Sequence, residues 1–136
     1  MDQSLLTTAD LSVLHDAELC LVAMDRDAAK LRLGFRMVDH AVQMITFYDV
    51  LTYRIDNVQS QNVVSRIILS DADAPDDLEQ MVRWSCSAGR DLLMPEQNFR
   101  RHLARVRSGE LRLFYAEPSW GAASGVIARG FFRSGE

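Results

Sequence analysis

The chain has 136 residues, 48% of them hydrophobic and 25% charged, with a formal net charge of −4. That length fits one globular domain with its own core, and the mix excludes disordered, collagen-like and small disulfide-stapled chains. The acidic balance offers no long-range attraction for nucleic acid and mildly steers a basic partner.

Residues 1–16 are mixed, with Thr8-Ala9-Asp10-Leu11 able to start one helical turn. Residues 18–24 are apolar and β-leaning, and Asp25-Arg26-Asp27 ends them in turn-forming residues. Over 30–37 the alternation is strict: Leu31, Leu33, Phe35 and Met37 share one face, as in a half-buried antiparallel strand. Val38-Asp39-His40 reads as a tight turn, 41–47 as a third strand, 50–55 as a fourth, and 62–69, rich in β-branched residues, as a fifth.

The pattern then turns helical. Asp71-Ala72-Asp73-Ala74-Pro75-Asp76-Asp77 suits a helix N-terminus, where free N–H groups favour negative charge. Leu78, Met81, Val82 and Ser85 follow at helical spacing, predicting a helix to about residue 88 with Gly89 near its end. A second helix is expected over 95–107, with the stripe Phe99, Leu103 and Val106 and with Gly109 just past its end. Residues 110–117 read as a strand with Leu111, Leu113 and Tyr115 on one face. Pro118-Ser119-Trp120-Gly121 reads as a loop, and a last strand starts at Val126-Ile127-Ala128, with Phe131 and Phe132 near its end. The expected fold is a single α+β domain over 1–136: an antiparallel β-sheet of about six to seven strands with two helices packed on one face.

Chemical motifs are sparse. The seven glycines form no phosphate-binding loop or nucleophile turn. His15, His40 and His102 lie far apart and read as surface or capping residues, so no metal or cofactor is expected. His15-Asp16 is not expected to form a catalytic couple, because the side chains of neighbouring residues diverge, and is expected to fix the entry into the first strand. Cys20 and Cys86 are expected to be reduced core thiols, Cys20 being flanked by Leu19, Leu21 and Val22. The N-terminus lacks a signal-peptide pattern, and no stretch approaches the roughly 20 apolar residues that span a bilayer. The expected location is therefore the cytoplasm, with no membrane contact.

Two features point to a partner. Asp71, Asp73, Asp76, Asp77 and Glu79 fall within nine residues that hold no cation. Trp120 is the candidate aromatic anchor, since tryptophan often dominates interface energy. The sequence also permits a plainer reading of each: a solvated helix start, and a ring folded back over the sheet edge. Arg100, Arg101, Arg105 and Arg107 could contact phosphates. Only Phe99 lies among them, on the apolar stripe, so the expected use is internal, by pairing with acidic residues or covering apolar surface with their stems.

The first half carries Leu14-His15-Asp16-Ala17-Glu18-Leu19, Leu31-Arg32-Leu33-Gly34-Phe35, Ile45-Thr46-Phe47-Tyr48-Asp49-Val50 and Gln61-Asn62-Val63-Val64; the second adds Ser108-Gly109-Glu110-Leu111-Arg112-Leu113. In this order the chain resembles a group of small bacterial α+β proteins. Several of these look like immunity proteins of toxin–immunity loci, including contact-dependent growth inhibition. The resemblance covers about residues 14–64 and implies a non-catalytic binder of a cognate toxin domain, with the matching residues acting as fold determinants. A toxin that cleaves nucleic acid presents a basic cleft, which an acidic patch complements. The expected contacts are Asp71, Asp73, Asp76, Asp77, Glu79 and Trp120. The alternatives are a small homo-oligomeric or structural protein without catalysis and, ranked below it, a small hydrolase. The sequence leaves the oligomeric state open.

Overall fold

Apolar rows at period 2 need a second layer, and here the sheet supplies it by closing on itself. A computed structural model describes residues 8–70, 76–87 and 95–135. The strands are β1 (Glu18–Asp25), β2 (Lys30–Arg36), β3 (Val42–Asp56), β4 (Val63–Leu69), β5 (Arg112–Trp120) and β6 (Ala123–Gly135). They pair antiparallel in the order β1-β2-β3-β6-β5-β4 and close into a barrel. The closing seam is short. Glu18 pairs with Val63, the Val64 N–H donates to the Ala17 carbonyl at 2.8 Å, and the Leu19 N–H donates to the Asn62 carbonyl at 2.8 Å.

The helices are α1 (Thr8–Leu11), α2 (Leu78–Cys86) and α3 (Glu96–Arg107), with a 3-10 turn at Ser12–Leu14. Leu11 and Leu14 are fully buried in the barrel core. Inside the barrel, Phe114 packs against Phe47 at 5.1 Å, Phe131 at 5.7 Å and Phe35 at 6.4 Å between ring centroids. Leu31, Leu33 and Ile45 complete this interior, each with no exposed surface. Large rings fill the interior of this small barrel.

A second apolar cluster lies on the barrel's outer surface. Leu113, Tyr115, Ile127 and Ile68 turn outward there, and α2 and α3 cover them with Leu78, Met81, Val82, Phe99, Leu103 and Val106. Both helices thus pack on one face of the antiparallel sheet, as the stripes in their sequences predict. Gly109 follows α3 at φ +86°, a conformation that costs a residue with a Cβ, and its N–H donates to the Val106 carbonyl at 3.1 Å.

Several boundaries differ from the sequence reading. The third and fourth predicted strands are one, β3; Asp49, at φ 51°, and a register shift between Val50 and Thr52 bend it without ending it. The loop expected at Pro118-Ser119-Trp120-Gly121 is mostly strand, because β4 pairs with β5 as far as Trp120 opposite Val63. Helix α2 stops at Cys86, short of the predicted end. Asp71 to Pro75 and Gly89, expected at the helix start and end, lie outside the described residues.

Candidate functional site

Trp120 stands at the end of β5 and is 64% exposed. The backbone beneath it is held by Asn62, a side chain only 9% exposed. Its Oδ1 accepts the N–H groups of Ala122 at 3.0 Å and Gln59 at 2.9 Å, and its Nδ2 donates to the Gln59 carbonyl at 3.0 Å. Gly121 completes the rim at φ +81°; a Cβ there would lie 2.4 Å from the Gln61 carbonyl oxygen. The Asn57 amide donates to the Gly121 carbonyl at 3.4 Å, and Val58 on the same loop is also 64% exposed. One buried amide therefore ties two loops together and leaves a tryptophan projecting from a fixed backbone. Asn62 stood in the sequence only as part of a short motif. Nothing local marks its partners, Gln59 and Ala122, as neighbours.

Of the five acidic candidates, Asp71 and Asp73 lie outside the described residues. Asp76 and Asp77 are exposed at the start of α2. Asp77 is the N-cap residue, yet its side chain makes no capping hydrogen bond, so its carboxylate is left to solvent. Both the burial of Tyr115 and the nearby Glu117 and Asp77 carboxylates push the Tyr115 phenol above its ordinary range, while Arg54 opposes them. Glu117, on a strand far from the acidic run in sequence, reaches the same tyrosine but is itself paired with Arg66 at 3.2 Å.

Glu79 is placed differently. Arg100 lies 3.3 Å from its carboxylate, Arg83 3.7 Å and Arg107 3.8 Å. Arg83 also grips Glu96 through both guanidinium nitrogens at 3.1 and 3.2 Å, and its guanidinium carbon lies 3.9 Å from the Phe99 ring centre. The hydrogen bond from Arg83 holds the Glu96 carboxyl below the usual range and raises the arginine. Arg105 pairs with Glu110. The arginines at 100, 105 and 107 thus pair internally, as the sequence suggested.

His15 and Asp16 diverge from expectation. Asp16 adopts φ 67°, and this turn swings its carboxylate to 3.3 Å from His15 Nδ1, with both side chains about two-thirds exposed (65% and 62%). The rule that neighbouring side chains diverge holds for regular helix and strand, and this backbone is neither. Cys20 is likewise exposed where the sequence suggested a core thiol, because it is the extra residue of a bulge between Leu19 and Leu21. Cys86 is buried, and burial pushes its thiol up to about 11. Burial, then Arg105 and Arg101, hold the His102 imidazole below its ordinary value.

Among the described residues no three His, Cys, Asp or Glu side chains gather as a metal site, and no helix is long and apolar enough to cross a membrane. Compared with family models, curated proteins and solved structures, the chain finds no match in any of the three.

Proposed function

We propose that the protein is an immunity protein that binds and neutralises a cognate bacterial toxin domain, a nuclease in the first instance, by protein–protein contact. The observation that carries this reading is Trp120, 64% exposed on a backbone fixed by a buried asparagine. An aromatic anchor held this way loses little conformational freedom on binding, which favours affinity. The resemblance over residues 14–64 supports the choice of partner.

The charge supports it as well. Asp76 and Asp77 give a basic partner an open negative face, Glu117 beside them is already paired with Arg66, and Asp71 and Asp73 precede them in sequence. Glu79 contributes through a carboxylate already shared among three arginines, so its charge is largely balanced before a partner arrives.

The test is co-purification with the toxin encoded beside this chain, with toxicity as the second readout. A stable complex and loss of toxicity are expected. Trp120→Ala should weaken binding by roughly 30-fold, the range of an interface hot spot. Reversing Asp76, Asp77 and Glu79 should chiefly slow association and flatten its salt dependence. Toxicity unchanged by the chain would overturn the reading; unchanged affinity in either variant would remove that residue set from the interface.

A further inference from the structure

The seam that closes the barrel ends early. Beyond Leu19, among the described residues, β1 pairs with β2 alone, residues 21–25 against 30–34. On the inner face Val22 is 45% and Met24 39% exposed, although their cross-strand neighbours Leu33 and Leu31 have no exposed surface. On the outer face Leu21 is 41% exposed. Burial collapses across one strand because, among the described residues, no strand pairs with β1 beyond Leu19 on that side. Such an edge is a template for pairing, and natural edges are usually guarded by lysine, proline or an inward charge. Leu21-Val22-Ala23-Met24-Asp25 carries no lysine or proline, and its one charge lies at the end.

We propose that this edge is an interface between two copies of this chain, with β1 pairing antiparallel to β1 of a second copy about a two-fold axis at Ala23. The sequence is self-complementary in that register. Val22 of each copy faces Met24 of the other, so the inner apolar row continues across the junction. Asp25 faces Leu21, which keeps the two Asp25 carboxylates apart. Arg26 falls opposite Cys20 in this register, so no two like charges meet across the junction. Ala23, the smallest side chain of the segment, lies at the axis, where the two backbones approach most closely. Five residues a side make a small interface, so the dimer is concentration-dependent. This inference stands apart from toxin binding.

Two measurements test it. In a Cys20→Ser background, Ala23→Cys places two thiols across the axis within disulfide range. It should oxidise to a covalent dimer far faster than Val38→Cys, a residue 75% exposed elsewhere on the molecule. In sedimentation, the unaltered chain should show a dimer that grows with concentration, and the Val22→Lys, Met24→Lys double variant should stay monomeric with an unchanged circular dichroism spectrum. The proposal fails if the unaltered chain remains a monomer at near-millimolar concentration, if the lysine variant dimerises equally, or if Ala23→Cys crosslinks no faster than Val38→Cys.

Discussion

The two apolar clusters are built by different means. The barrel interior is assembled from all six strands, and its central ring, Phe114, meets partners from β2, β3 and β6. The outer cluster is a sheet face covered by two helices, sealed on its solvent side by arginines that lie over Phe99 and pair with Glu79 and Glu96. The interior depends on contacts distant in sequence. The outer layer rests on helices whose stripes are local. The contrast teaches that one sheet can carry a core fixed by topology on one side and a core fixed by helix amphipathicity on the other.

The largest expected effect lies inside. Phe114→Ala should cost about 3–5 kcal/mol, because a fully buried ring among three others leaves a cavity that a closed barrel cannot collapse. Leu103→Ala in α3, at about 2–5 kcal/mol, is the matching cut in the outer layer. Denaturant melts give the sizes, and hydrogen exchange gives the pattern. Helix amides that open in Leu103→Ala before the strand amides would make the two cores separable; one shared transition would join them.

Alkaline pH acts on the outer core. The Cys86 thiol is raised from an ordinary 9.0 to about 11, so above 9 the unfolded chain releases a proton that the folded chain retains. Stability should therefore fall by roughly 2 kcal/mol as pH rises through that window. Cys86→Ala should flatten the slope between pH 9 and 10, as read in melts at successive pH values, and leave above it the part that the raised Tyr115 phenol adds. An unchanged slope between 9 and 10 in Cys86→Ala would move its origin elsewhere.

Gly125→Ala probes the joint between α2 and the sheet. Its added Cβ would lie 2.2 Å from Ser85 Oγ and 3.1 Å from the Trp84 ring, so α2 must shift. A loss of about 1–3 kcal/mol is expected, with a change in tryptophan fluorescence from Trp84. The smallest effect is Glu96→Gln. The carboxyl of Glu96 is held low by Arg83, so its contribution is present above the ordinary glutamate range and is lost as pH falls through its folded value. The variant should melt slightly earlier at neutral pH and match the unaltered chain in strong acid. A difference that survives acid would show that packing, not charge, links the residue to the fold.

Elements were legible wherever the signal was local. The alternation of Leu31, Leu33 and Phe35 and the stripes of α2 and α3 are all buried as their spacing implies. The candidate site was legible in part: Trp120 is exposed, yet the asparagine that fixes its backbone and the Glu117 that reaches the same tyrosine as Asp77 come from distant strands. Exposure of Cys20 also escaped the sequence, since a bulge reverses which side chains face inward and leaves no mark in a short apolar run.

By itself, the order of apolar and polar residues determined the strands, the helices and their buried faces, because side-chain direction follows from the repeat of each element. Tertiary structure alone decided that β4 returns to β1, that β3 bends without breaking, that Glu79 is shared among arginines while Asp77 faces solvent, and that β1 outruns its closing partner. Those outcomes depend on which residues, tens of positions apart, become neighbours, and a periodic pattern carries no record of that.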